Sequence, residues 1–262
     1  MKERNQMADA CFGETPGGGA DASDVKAAVR DLYSKVAEGI ESCCGGGEML
    51  TGSDSLLASG YEAEAVAGLP EEVIASNAAC GNPIDLAKLQ EGETVLDLGS
   101  GAGLDCFLAS HEVGKTGRSI GLDMTDAMLE KAEANRKKMR LENVEFRKGE
   151  MEAMPVADGE VDAIISNCVI NLSPDKKAVF NESLRVLRPG GRFVVSDVIH
   201  QGGFEPSGSA EDWCACIAGA ISEEEYLSGL RESGFEGAEI LTRKPYIAAG
   251  LVSVTIQAVK PQ

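Results

Sequence analysis

Residues 95–103 read Val-Leu-Asp-Leu-Gly-Ser-Gly-Ala-Gly. A short apolar run ending in a glycine cluster predicts a buried strand that breaks into a sharp turn. The residues that follow, Leu104 onward, carry a helical pattern through about residue 112. Strand, glycine turn and helix N-terminus together place unpaired N–H groups beside a backbone that a ligand can approach closely. In an open α/β sheet such a ligand sits outside the carboxyl ends of the strands.

Moving outward, further strands are predicted over 119–123, 144–147, 161–166 and 192–198. Helical stretches separate them, one capped by Thr125 and one opened by Ser173-Pro174-Asp175 and ended by Pro189-Gly190-Gly191. This alternation indicates βαβ units and a parallel sheet. After Ile199 the rhythm stops. Ser222 and Glu225 then form a capping box, and late strands over 238–242 and 251–259 are expected to close the sheet. Upstream, residues 1–22 are Gly-rich and polar, with little order expected. Residues 23–75 are expected to form a helical and loop cap, with Ser23 capping a helix over 24–40. The core is expected over 76–200, an insertion over 201–220, and a closing helix and strands over 221–262.

Among 262 residues, 43 acids against 24 bases give a net charge of −19. That balance disfavours nucleic acid, whose phosphates need clustered Lys and Arg, and equally an anionic membrane surface. No apolar run approaches the ~20 residues of a membrane span, and no apolar signal region opens the chain. A cytoplasmic setting is the expectation, in which the 8 Cys are thiols that bind or react rather than disulfides.

Asp123 ends the second strand 20 residues beyond Gly103, where a carboxylate can accept both hydroxyls of a ribose. Spacing alone leaves a nicotinamide dinucleotide open. Asp97, ahead of the glycines, and the acidic turn Gly149-Glu150-Met151-Glu152 point elsewhere. From Val95 to Val198, including the Leu-Arg-Pro-Gly-Gly turn at 187–191, the chain resembles class I S-adenosylmethionine-dependent methyltransferases. The resemblance implies a Rossmann-like α/β fold with a mostly parallel seven-stranded sheet, helices on both faces and an antiparallel last strand. It implies that Asp97 lies near the methionine ammonium and that Gly99, Ser100 and Gly101 shape the methionine pocket. Asp123 and Met124 would hold ribose and adenine, Met151 and Glu152 would flank adenine, and Asn167 would join the cofactor set.

The acceptor must be read from other residues. Cys168 follows the fourth strand, where the cleft faces the transferred methyl. Cys80 precedes the core, and Cys216 lies in the irregular stretch after the fifth strand. Three thiols converging over the cofactor would suit a soft acceptor, such as trivalent arsenic, which keeps a lone pair when bound by three sulfurs. The motifs Ala79-Cys80-Gly81, Asp105-Cys106-Phe107, Ser166-Asn167-Cys168-Val169-Ile170-Asn171-Leu172-Ser173-Pro174-Asp175-Lys176 and Cys216-Ile217-Ala218-Gly219-Ala220 resemble the arsenite methyltransferases.

That resemblance implies that Cys80, Cys168 and Cys216 bind As(III) as substrate, with Cys44 or its neighbour Cys43 in redox or first-step chemistry. Cys214 competes with Cys216 for the third position. A thiol reductant, thioredoxin or glutathione, is implied as co-substrate, arsenite or its thiol conjugates as substrate, and a monomer as the assembly. Cys106 reads as core and Cys11 as incidental. Asp105 is a candidate for orienting a water or thiol near the site. Alternatives are a carbon- or oxygen-directed methyltransferase of the quinone or sterol type, and a non-catalytic thiol protein that binds metalloids. A zinc site is disfavoured, because no Cys-x-x-Cys occurs and only two His are present.

Overall fold

A computed structural model describes residues 22–40, 52–77, 79–201, 217–246 and 250–262. Seven strands form one sheet: β1 (Thr94–Leu98), β2 (Arg118–Asp123), β3 (Val144–Lys148), β4 (Val161–Asn167), β5 (Leu187–His200), β6 (Glu236–Pro245) and β7 (Leu251–Val259). Their order is β3-β2-β1-β4-β5-β7-β6. The first five pair in parallel, whereas β7 runs antiparallel to both β5 and β6. The expected fold is therefore found. The chain order reverses between β1 and β4, which opens a crevice at their carboxyl ends.

Helices cover both faces, as side-chain alternation demands. Leu96, Leu98, Ile164 and Phe193 point into one core, which Tyr226 and Leu230 complete. Val95, Ala163, Ile165 and Val194 point into the other, against Phe107, Leu108, Leu56 and Val73. The helices are α1 (Ala22–Ala37), α2 (Gly52–Ser59), α3 (Ala63–Ala67), α4 (Glu71–Ala75), α5 (Pro83–Ala87), α6 (Leu104–Glu112), α7 (Asp126–Met139), α8 (Lys176–Val186) and α9 (Glu223–Glu232). A 3-10 turn spans Ile170–Leu172.

The capping box at Ser222 and Glu225 forms in both directions. Other terminal details differ from expectation. Ser23 lies inside the first turn of α1, not before it. Thr125 occupies the cap position of α7 but makes no cap bond there, since its hydroxyl engages Asp123. The cap of α8 is Asp175, which accepts from Ala178 N. Ser173 instead donates to Glu152 at 2.6 Å, so a long-range carboxylate takes the hydroxyl that spacing had assigned to the cap. Helix α8 ends at Val186, and the Pro189-Gly190-Gly191 turn lies within β5. The β4–β5 register shifts there, because proline offers no ladder donor.

Candidate functional site

The glycine turn after β1 is held from β2. The N–H groups of Gly99 and Ser100 both donate to Leu122 O, at 2.8 and 3.0 Å. Gly99 and Gly101 have φ of +69° and +50°, a region that costs an L-residue roughly 1–2 kcal/mol. A Cβ on Gly99 would collide with the Val169 side chain, whereas one on Gly101 would meet nothing within 4 Å. Gly101 is thus required for its backbone angle and Gly99 for both reasons. The Gly101 N–H donates to Asp123 Oδ2 at 3.0 Å, and Thr125 N–H donates to Asp123 Oδ1 at 2.8 Å.

Beneath this turn opens a cavity of about 1060 Å³, counting its mouth. Every residue assigned by resemblance to the cofactor lines it: Asp97, Gly99, Ser100, Gly101, Asp123, Met124, Met151, Glu152 and Asn167. Cys168 lines it as well, as do Ala79 and Asp105. Helix α1 was expected only as part of a cap, yet its Lys26, Val29 and Tyr33 form one wall. Lys26 Nζ reaches Glu150 at 2.7 Å and Glu152 at 3.1 Å, and Arg30 adds a 3.2 Å contact to Glu150. Proximity to those two carboxylates outweighs burial and raises the Lys26 pKa.

The lining carries five acids, Asp97, Asp105, Asp123, Glu150 and Glu152, against the single base Lys26. Burial pushes the Asp97 carboxyl well above its ordinary range, and repulsion from Asp105 adds to it. Asp105 is raised to about 6 by burial, against the pull of hydrogen bonds from Tyr61 and Asn167. Asp123 is raised by burial, with the backbone donors at Thr125 and Gly101 opposing. Ser100 Oγ is buried and has no hydrogen-bond partner among the described residues. A surplus of buried carboxylate, an unpaired hydroxyl and an open face at Gly101 fit a ligand that brings cationic groups and ribose hydroxyls, as S-adenosylmethionine does.

Cys80 and Cys168, 88 positions apart in the chain, share one apolar cluster with Val25, Val29, Leu172, Val198, Ala220 and Leu251. Ile217 packs against it. Neither Cys80, Cys106 nor Cys168 is in a disulfide. Cys168 adopts φ +61°, and its N–H donates to Ser196 O at 2.8 Å. A non-glycine residue held there stores roughly 1–3 kcal/mol of strain, of the kind that accumulates at functional sites. The Cys80 carbonyl accepts from Ser253 Oγ at 2.6 Å and its N–H donates to Asn167 Oδ1 at 3.0 Å. Cys216 and Cys44, with Cys11, Cys43 and Cys214, lie outside the described residues.

Cys106 is fully buried, as core packing predicts, but it also touches the site, because its thiol donates to Asp97 Oδ2 at 3.4 Å. Three residues escaped the sequence reading. Tyr61, buried, donates to Asp105 Oδ1 at 2.6 Å. Asp197 on β5 is buried, raised to about 7 by burial, and 3.5 Å from the Tyr226 hydroxyl. The Tyr226 hydroxyl is pushed well above its ordinary range by burial, and the Asp197 carboxylate adds to the shift. No local pattern marks these contacts, since their partners are distant in sequence.

The sheet order, the glycine turn and the acids at the ends of β1 and β2 define a Rossmann-like methyltransferase, and a family model described as a methyltransferase domain matches residues 89–234. An arsenite methyltransferase of Halobacterium salinarum is 41% identical over 92% of this chain and 68% of its own length. One from Aquipseudomonas alcaligenes is 32% identical over 83% of this chain, which spans 64% of that relative. The crystal structure of an arsenic(III) S-adenosylmethionine methyltransferase from Chlamydomonas reinhardtii superposes with a TM-score of 0.68, at 35% identity, covering 76% of this chain and 73% of that one. The chain belongs to the arsenite methyltransferase family. Among the described residues no helix is long and apolar enough to cross a membrane.

Proposed function

We propose that this protein transfers a methyl group from S-adenosylmethionine to trivalent arsenic held on cysteine sulfur. The observation that carries the reading is the placement of Cys168 on the cofactor cavity together with Cys80 in the adjoining cluster. Cys216 is the proposed third ligand. That assignment rests on the Cys216-Ile217-Ala218-Gly219-Ala220 motif, in which Cys216 itself lies outside the described residues. The cap over 23–75 borders the cavity through Lys26, Val29, Tyr33 and Val73, and the insertion over 201–220 is proposed as the As(III)-binding segment that supplies the third thiol.

The bound cofactor supplies an electrophilic methyl on a sulfonium. Asp97, Asp123 and the glycine turn would hold it, with α1 as one wall of its cavity. Three cysteine sulfurs replace the hydroxyls of arsenous acid, which depart as water with the thiol protons. The arsenic lone pair then forms the As–C bond as the S–C bond breaks, so no base is needed at arsenic. The rate gain comes chiefly from holding donor and acceptor in line. Transfer oxidises arsenic by two electrons. A thiol reductant, thioredoxin or glutathione, returns it to the trivalent state, with Cys43 and Cys44 as candidate participants in that step. This chemistry suits a reducing cytoplasm.

Speciation of arsenic after incubation with S-adenosylmethionine, arsenite and glutathione tests the reading. Methylarsenicals are expected from the wild type and at least 100-fold less from Cys168→Ser. Unimpaired methylation by Cys168→Ser would falsify it.

A further inference from the structure

Tyr61, Asp105 and Asn167 form a closed hydrogen-bonded set assembled from three separate parts of the chain. Tyr61 follows α2, Asp105 sits in the first turn of α6, and Asn167 ends β4. The Tyr61 hydroxyl donates to Asp105 Oδ1 at 2.6 Å. The Asn167 Nδ2 group donates to the Tyr61 hydroxyl at 2.8 Å, to Gly81 O at 2.8 Å and to Asp105 Oδ2 at 3.3 Å. With Nδ2 so engaged, Oδ1 is directed to the Cys80 N–H at 3.0 Å, and the Cys80 sulfur stands 3.6 Å from the same oxygen. The amide orientation is thereby fixed by the network, since reversing it would set Nδ2 against the Cys80 N–H and leave Tyr61 and Asp105 facing an acceptor.

We infer that Tyr61 is a positioning residue for the metalloid site: acting through Asn167, it sets the Cys80-Gly81 turn and hence the Cys80 thiol. The inference rests on the proposed function, since it assumes that Cys80 is a ligand. Its physical basis is geometric. The Cys80-Gly81 turn is gripped by one side-chain amide at both residues, through the Cys80 N–H and the Gly81 carbonyl. Among the described residues, the Tyr61 hydroxyl and the Asp105 carboxylate alone hold that amide from behind. The Tyr61 ring lies in an apolar cluster with Leu56, Val66, Leu69 and Ile84, so phenylalanine retains the packing and removes only the hydroxyl. The wall of the cofactor cavity contains Asp105 and Asn167 but not Tyr61. Loss of the hydroxyl should therefore disturb the thiol more than the cofactor.

The test is a pair of affinities measured on the same protein: arsenite by equilibrium dialysis without cofactor, and S-adenosylmethionine by calorimetry without arsenite. Tyr61→Phe is expected to weaken arsenite binding at least fivefold and to leave cofactor affinity within twofold. Asn167→Ala is expected to weaken arsenite binding further. The double variant should then match Asn167→Ala within twofold, because the two residues act in series. Arsenite affinity unchanged in Tyr61→Phe overturns the inference, as does an equal loss of both affinities or a double variant whose losses multiply. If Asn167→Ala does not fold, the two affinities of Tyr61→Phe decide alone. Failure of the wild type to bind arsenite at all removes the proposed function and the inference with it, whereas the other adverse outcomes leave the function standing.

Discussion

The carboxylate of Asp123 accepts the Gly101 N–H at 3.0 Å across a separation of 22 residues, so one side chain both closes the glycine turn and faces the cofactor cavity. Hydrogen bonds to a charged group contribute about 1.5–3 kcal/mol each. Asp123→Ala should therefore weaken S-adenosylmethionine binding by roughly 10–100-fold through lost ribose contacts and a loosened turn. Titration calorimetry measures it, and an affinity within twofold of wild type would rule out this role.

Cys168 is held at φ +61°, where glycine is unstrained. Cys168→Gly and Cys168→Ala both remove the thiol and should both abolish arsenic methylation. They should differ in stability. The glycine variant is expected to unfold about 1 kcal/mol later than the alanine variant, offset in part by its larger unfolded-state entropy. Urea denaturation of the pair gives the difference directly.

Asp105 and Asp197 are raised by burial to about 6 and about 7, above an ordinary carboxylate near 4. Between about pH 4 and pH 7 the folded protein retains protons that the unfolded chain has released. The unfolded state binds fewer protons there, so this pair makes stability fall as pH rises through the window and level off above it. Each group contributes a slope of at most about 1.4 kcal/mol per pH unit. Asp197→Asn should flatten the decline in Tm between pH 5 and pH 8, measured without cofactor. A slope as steep as that of the wild type would contradict the assignment.

Lys26 ties α1 to the acidic turn after β3 through Glu150 and Glu152, and α1 walls the cavity with Val29 and Tyr33. Partly exposed ion pairs of this kind contribute under about 1 kcal/mol. Lys26→Met should accordingly speed cofactor dissociation only about two- to fivefold, with a weaker salt dependence than the wild type. Stopped-flow displacement reads both quantities, and an unchanged rate would mean that α1 does not retain the cofactor.

The residues that could be read in advance are those whose role is local. Gly99, Gly101 and Asp123 follow from strand, turn, helix and strand in direct succession, Asp97 is added by family resemblance, and Ser222 and Glu225 face each other by helical spacing alone. Ser173 shows where that logic ends. Its hydroxyl had a local use as a cap, but Glu152, 21 residues earlier, binds it more closely. Nothing near Tyr61 in the chain signals Asp105 or Asn167, at separations of 44 and 106 residues.

Hydrophobic period, glycine angles and cap chemistry act over a few residues, and they suffice to specify the βαβ order and the glycine turn, whereas the thiols worth considering are marked by motif resemblance. Which side chains meet is a different matter, because it depends on sheet order and on how α1, α2 and the Cys80 turn pack across strand ends. Folding brought Cys80 and Cys168 into one apolar cluster, turned Asn167 toward the Cys80 N–H and paired Lys26 with Glu150. Those contacts are set by the burial of whole faces and the pairing of buried polar groups, neither of which leaves a mark at any one position of the chain.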